Sequence, residues 1–430
     1  MEGPLIVFED DRVGQLSPLT LTRPVFDLVC GIFPLSEKLR LGLAAARGGK
    51  GPDIHFHTRA YLASTLAPTA RRRIESFSGL SGGGSSGGED LVSLVNGRLV
   101  WEDSLLGTID PAWVGRYMCD GCVAWANVPV AWIGRLDGLA DVPLGGHTCE
   151  DLPAQDLDAR LISYPWDLIR LNGQEIERDF ARLGGAAIEA DLPAGVHLVN
   201  EDAIRLAPGA SLSPGVVIDA SQGPVVIDDG VSVLANASLA GPLSVGRGSI
   251  IKMGAKIYGE TTIGPVCKVG GEVGESIIHG YSNKQHDGFV GHSYVGEWVN
   301  IGAGTDTSDM KNNYSTVRLS VGGESVDSLE PLVGLFMGDH SKCGIGTTFN
   351  TGTIAGVCCN IFGAGFPPKY IPSFSWGGSV GFSEHDPEKA IETVRTVMAR
   401  RGKTLDSAGE SILREVFELT REERLTFFGI

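Results

Sequence analysis

Residues 279–288, HGYSNKQHDG, put two imidazoles, two amides, an ammonium and a carboxylate within ten positions. Histidine titrates near neutrality, so an imidazole among such groups can take up or release a proton during a reaction. A solvated turn would use the same residue types, so the segment gains meaning only from its surroundings. Two other groups could hold metal. CDGC at 119–122, with His147 and Cys149 nearby, offers four ligands, but one C-x-x-C pair off standard spacing is a weak zinc signal. His55 and His57 alternate on an expected strand, where packing or solvent is the commoner fate.

The elements around 279–288 follow a period of six. Leu206, Leu212 and Ile218 are six apart, and after a slip of three come Ile227, Val233, Leu239, Val245, Ile251, Ile257, Ile263 and Val269. Phe289, Val295 and Ile301 continue the spacing, as do Met337, Cys343, Phe349, Ala355 and Ile361. Gly230, Gly246, Gly254, Gly264 and Gly302 fall between these positions. Six fits neither a helix nor an irregular meander. It fits a triangular coil with one inward aliphatic per side and small residues at the corners, each turn stacking on the next. Ile277, Phe289, Val295 and Ile301 keep to multiples of six, which places the polar segment, Lys284 included, on the coil wall. VRLSVGGESV reads as a hairpin excursion within residues 306–334. Two amphipathic helices near 386–401 and 406–424 are expected to cap the open end of the coil.

The first part of the chain has a different rhythm. PLIVF reads as a buried strand, and Ser36 as the N-cap of a helix stopping at Gly48. DIHFHT reads as a strand, RAYLASTL as a helix, and DLVSLVNGRLV as a further strand after the glycine-rich loop GLSGGGSSGG. PWDLIRLNGQEIERDFARLG is expected to be the helix that closes this domain. The alternation predicts a predominantly parallel sheet with packed helices. The expected division is 1–195, 196–370 and 371–430.

Composition limits the partners. The chain has 430 residues, 42% hydrophobic, with a formal net charge of -17, which argues against a nucleic-acid surface. No apolar run approaches the ~18 residues that span a bilayer, so no membrane association is expected. MEGPLIVFEDD lacks the basic start of a signal peptide, so a cytoplasmic location is expected, and the eight cysteines are expected to be reduced.

Three segments together carry a family resemblance: FEDDRVGQLSPLTLTRPVFDL, KVGGEVGESIIHGYSNKQHDGFVGHSYVGEWVNIGAGT and VGLFMGDHSKCGIGTTFNTGTIAGVCCNIFGAGFPPKYIPSFSWGG. They resemble the GlmU-related sugar nucleotidyltransferases, a branch beside the bifunctional N-acetylglucosamine-1-phosphate uridyltransferase and glucosamine-1-phosphate N-acetyltransferase. The resemblance implies a nucleotidyltransferase-like, Rossmann-like α/β domain, then a left-handed parallel β-helix with a helical tail, assembled as a homotrimer. It implies acetyl transfer from acetyl-CoA to an amino-sugar 1-phosphate on the coil. On the first domain it implies nucleotidyl transfer from an NTP, taken as UTP, to a sugar 1-phosphate, assisted by Mg2+. Such a chain makes nucleotide sugars; if one domain is degenerate it keeps a single activity, or none as a trimeric nucleotide-sugar-binding scaffold.

By the same resemblance His286 matches the general base, and Lys252, Asn283, Lys284, Asn300, Asn313 and Tyr314 are candidates for binding substrate or acyl donor. Phe289 stands where better-known members have tyrosine, and Gly270 near where they have lysine. The later coils, GDHSKCGIGTTFNTGTIAGV, would supply the coenzyme A groove. In the first domain the glycine-rich phosphate loop of such enzymes is shortened to FEDDRVGQLSPLTLTRP. Arg23 and Lys38 remain as phosphate ligands, Asn96 and Asp167 as nucleotide-site residues, and Asp10 or Asp11 as a metal ligand.

Overall fold

The structure, a computed structural model, describes residues 3–66, 72–73, 91–145 and 148–429. The glycine-rich loop at 79–88 and His147 lie outside the described residues. The chain divides into two compact units, one holding most of residues 1–163 and the other holding Tyr164–Ile430 with two short earlier segments.

The first unit is built on a mixed sheet of β1 (Leu5–Phe8), β2 (Ile54–Phe56), β3 (Arg72–Arg73), β4 (Leu91–Asn96), β5 (Gly115–Cys119), β6 (Cys122–Pro129) and β7 (Ala154–Asp156). The spatial order is β7-β5-β6-β4-β1-β2-β3. Four pairings are parallel, and β6 runs antiparallel to both β4 and β5. CDGC is the turn of the β5–β6 hairpin: Asp120 and Gly121 both have positive φ, 49 and 73, the pair that an Asp-Gly hairpin turn requires. α1 (Leu35–Ala46) starts two residues earlier than expected, with Pro34 before it and no side-chain cap. Ser36 is instead buried in its first turn. RAYLASTL forms a 3-10 helix, Ala60–Thr65, and not an α-helix.

The second unit is a three-sided coil of parallel strands, as the period of six predicted. One face has ten strands, from Ala187–Ile188 to Tyr370–Ile371. A second has six, from His197–Val199 to Phe289–Gly291. A third has five, from Ser211–Leu212 to Asn283–Lys284, and bridges Asn283–Asn300–Lys342 carry it into four more strands. The aliphatic register fills one continuous core. Each such Ile, Val or Leu contributes ~1.5–3 kcal/mol by burial. Corners pack tightly: a Cβ on Gly302 would lie 2.3 Å from the Gly344 carbonyl oxygen.

The register departs from the sequence reading at the polar segment. After Val269 the inward positions are Val273, Ile278, Lys284, Val290, Val295 and Ile301, so three sides are shortened, the first of them by two residues. Ile277 and Phe289 therefore do not hold the inward positions. Lys284 does: it pairs with Val269 in the column that continues to Ile301, Cys343 and Ile361, and it is 2% exposed.

The helix α2 (Pro165–Arg182), expected to close the first domain, groups with the coil. Asn172 is the reason. Its Oδ1 accepts the Gly31 amide at 2.7 Å and its Nδ2 donates to the Glu260 carbonyl at 2.8 Å. Thr262 Oγ1 donates to the Gly31 carbonyl at 2.8 Å. The hairpin excursion forms as Arg318–Val321 and Glu324–Asp327. The tail is α3 (Pro387–Ala399), α4 (Ser407–Leu419) and α5 (Arg421–Phe428), with a break at Thr420 where one helix was expected. α5 lies against the terminal hairpin through buried Arg424, which donates to Glu384 at 2.9 Å. All eight cysteines are free and buried.

Candidate functional site

At the carboxyl ends of β1, β2 and β4, where open α/β sheets bind ligands, two buried ion pairs occupy the first unit. Both oxygens of Asp10 accept from Arg98, at 2.8 and 2.5 Å, and Oδ2 also accepts from Asn96 at 2.9 Å. Both oxygens of Glu9 accept from Arg59 at 3.0 Å, and Thr58 and the Val25 amide complete its shell. Asp10 thus sits in a cluster with Arg98 and Asn96 that fills its acceptor capacity. Asn96, 1% exposed, also receives the Arg98 amide and donates to Val123.

Arg23 offers its carbonyl to Arg59 at 3.3 Å, and Lys38 is fully buried on α1. Asp167 belongs to the second unit. It caps α2 by accepting the Tyr164 amide at 2.9 Å. Sequence reasoning missed Glu9, Arg59 and Arg98; the signal was two acidic residues directly after a buried strand, which need cations if they stay buried. No cluster of three metal-ligating side chains occurs among the described residues. Cys119 donates to the Ala159 carbonyl at 3.2 Å, Cys122 accepts from Arg98, and burial pushes the Cys149 thiol up to about 12. His57 packs on the Leu139 carbonyl.

In the second unit the polar segment turns a coil corner. Lys284 points inward, and its Nζ donates to the backbone oxygen of His286 at 2.6 Å. The ammonium thereby fixes the corner that carries the exposed His286 imidazole. Burial lowers the Lys284 pKa to about 8, against the opposing pull of Asp287 and Asp306. Beside this corner lies a cavity of ≈ 220 Å³, lined by Gly271, Glu272, Asp287, Phe289, Asp306 and Lys256, among others. Phe289 is held there by its amide on Asp306 Oδ1, at 2.8 Å.

Asn283 and Asn300 are neighbours on the third face, 3.4 Å apart between Nδ2 and Oδ1. Lys252 sits two rungs from Asn283, packed over Gly270. The third face therefore brings Asn283 and Asn300 together with Lys252 two rungs away, and Lys284 joins the His286 backbone oxygen at the adjoining corner. Asn313 and Tyr314 are not brought to it by any hydrogen bond or ring contact among the described residues. Both are exposed in the excursion, and Asn313 accepts the Ser315 amide.

A second cavity, ≈ 190 Å³, lies between α2, the coil and the excursion. Its wall includes His292, whose Nδ1 is 2.8 Å from Asp309, and Glu275, whose pKa burial raises. The sequence signal was a repeated corner: Gly259-Glu260, Gly274-Glu275 and Gly291-His292.

With this geometry in hand, residues 5–186 match the family described as sugar nucleotidyl transferase. A bifunctional sugar-1-phosphate nucleotidylyltransferase/acetyltransferase of Sulfurisphaera tokodaii is 34% identical over 91 residues, 21% of this chain and 23% of that protein. The bifunctional protein GlmU of Methylococcus capsulatus is 29% identical over 183 residues, 41% of this chain and 39% of that one. The matches thus span two fifths or less of the length of these relatives. Among solved structures, an Arabidopsis UDP-N-acetylglucosamine acyltransferase aligns at 12% identity and a TM-score of 0.30, over 55% of this chain and 92% of that one. No helix among the described residues is long and apolar enough to cross a membrane.

Proposed function

We propose, for a chain that is a GlmU-related relative of the sugar nucleotidyltransferases, that it makes nucleotide sugars, its coil acetylating an amino-sugar 1-phosphate with acetyl-CoA and its first unit transferring a nucleotidyl group from UTP to a sugar 1-phosphate. The observation that carries the acyl-transfer half is the corner itself. An exposed histidine directly precedes Asp287 and Gly288, which line a cavity, and its backbone is pinned by a buried ammonium. In the reaction His286 takes the proton from the attacking amine as the new C–N bond forms. The C–S bond breaks, and the departing thiolate of coenzyme A recovers the proton. Lys252, Asn283 and Asn300 orient the acceptor on the adjoining face. The chain acts as a cytoplasmic homotrimer, with sugar phosphates and nucleotides as its small-molecule partners.

The nucleotidyl half rests on the family match over 5–186. Mg2+ does not fit Asp10 as arranged, because Arg98 and Asn96 use its oxygens. The same two ion pairs favour a second reading, in which the first unit is a degenerate domain and acetyl transfer is the single activity. Asn313 and Tyr314 would join the site only through a partner copy.

Paired assays test these readings: thiol release from acetyl-CoA with glucosamine 1-phosphate, and pyrophosphate release from UTP with sugar 1-phosphates. His286→Ala should lower thiol release by at least ~100-fold and leave pyrophosphate release unchanged. Full thiol release in that variant would remove His286 as the base. Thiol release without pyrophosphate release in the parent chain would establish the single-activity reading.

A further inference from the structure

The cavity of ≈ 190 Å³ between α2, the coil and the excursion serves neither reaction proposed above. One wall of it is a column of coil corners. Glu260, Glu275 and His292 follow one another there on successive rungs, each with positive φ, 53, 42 and 45. Backbone bonds from the Glu275 amide to Gly259 and from the His292 amide to Gly274 join the rungs. Ile169, Pro331 and Leu332 add alkyl groups to the lining.

His292 is set up as a hydrogen-bond acceptor. Its Nδ1 lies 2.8 Å from Asp309 Oδ2, and the two side chains are only 18% and 17% exposed, so the pair is held away from bulk water. An ionised carboxylate accepts and cannot donate. In the neutral ring Nδ1 therefore carries the hydrogen and Nε2 the lone pair. Nε2 has no hydrogen-bond partner among the described residues.

The carboxylates of the lining are short of partners too. Glu260 makes no ion pair among the described residues. Glu275 reaches His292 only at 4.0 Å, and Glu330 reaches Arg170 only at 4.0 Å. Arg170 is shared with Asp167 at 3.4 Å. Elsewhere on the coil carboxylates are paired more closely, as Asp229 is to Arg247 at 2.9 Å. Burial raises the Glu275 pKa; His292 opposes the rise, and the charges of Glu260 and Asp309 add to it. A cation seated among these groups would relieve that repulsion. Acceptors beside alkyl groups suit a ligand that donates hydrogen bonds, carries positive charge and has a carbon chain. The volume lies below the ~300–1,000 Å³ of sites for drug-sized molecules, so the ligand is small.

We infer that this cavity binds a small primary aliphatic amine as its ammonium, with Glu260 and Glu275 supplying charge, His292 Nε2 accepting one N–H, and Asp309 fixing the ring. The site lies outside the nucleotide-sugar chemistry and does not rest on it.

Titration calorimetry on the full chain at pH 8, where aliphatic amines stay protonated, compares three ligands with one chain and different heads: butylamine, butyltrimethylammonium and butanol. The parent chain should bind butylamine, bind the quaternary ion about tenfold more weakly for want of an N–H, and not bind butanol. His292→Asn tolerates positive φ and keeps an amide for Asp309, but it lacks Nε2. It should bind butylamine about tenfold more weakly and lose the preference over the quaternary ion. A merely structural histidine would change both ligands alike. Glu275→Gln should weaken both cations about tenfold. Asp229→Asn, which removes a carboxylate elsewhere on the coil, should bind as the parent does.

No saturable binding of butylamine by the parent chain overturns the site. So does an equal loss in Asp229→Asn, or undiminished binding in both His292→Asn and Glu275→Gln. Loss of butylamine binding in His286→Ala would place the amine at the other corner and overturn it as well.

Discussion

Replacing Lys284 by methionine should make the coil more stable at neutral pH, and the gain should disappear in alkali. Lys284 occupies a core position between Val269 and Ile301 and is 2% exposed. Burial holds its pKa at about 8, against the ordinary 10.5. That difference corresponds to at most about 3 kcal/mol of folding stability. The sign follows from proton counts. Below pH 8 both states carry the proton, and the folded state bears the full desolvation cost. Between 8 and 10.5 the unfolded chain holds a proton that the folded chain has released, so stability rises with pH. Above 10.5 the cost is gone.

Methionine removes the cost and also the hydrogen bond to the His286 carbonyl, worth about 1 kcal/mol. The net gain at pH 7 should be about 2 kcal/mol, falling below about 1 kcal/mol at pH 9.5. Urea unfolding followed by tryptophan fluorescence at both pH values measures this. Groups common to both chains cancel in the difference. A variant less stable than the parent at pH 7, or a gain that does not change with pH, would refute a buried lysine bearing a desolvation cost. The variant should also lose acetyl transfer if the ammonium is what sets the His286 corner.

Arg98→Met strands a buried carboxylate at Asp10 and should cost about 3–5 kcal/mol in thermal unfolding, with Asp10→Asn added to it recovering part of the loss. Asp167→Ala removes the cap of α2 and should cost about 1 kcal/mol by the same measurement; an unchanged melting temperature would contradict the capping role. Cys149, its thiol pushed up to about 12 by burial, should resist iodoacetamide at pH 8 in the native protein, and mass spectrometry reads the outcome. A strong chelator should leave the melting temperature unchanged, since the C-x-x-C pair forms a hairpin turn; a marked drop would restore the zinc reading.

The coil was legible in the sequence because its cause is local and repeated. One aliphatic every six residues has a single geometric solution, and Ile227 to Val269 occupy it as read. The α/β rhythm of the first part was legible for the same reason, in strands such as Leu5–Phe8. What sequence could not decide were matters that depend on which rung meets which. Sides shortened by two residues and by one re-register every later side chain, so Lys284 moved from the wall into the core and Phe289 out of it. Asp10 and Asn96 could be suspected, but only the fold brings Arg98 onto both.

The polar segment 279–288 was visible as an exception to the register, and its residue types alone marked it as capable of chemistry. Its electrostatic setting was not visible. Arg401 lies 118 residues from Asn283 in the chain, and no local pattern records that the tail folds back to it. Spacing along the chain therefore determined the scaffold and the place of the corner. Only tertiary packing decided which charges face it, because Coulomb energy depends on distance in space and not on separation in sequence.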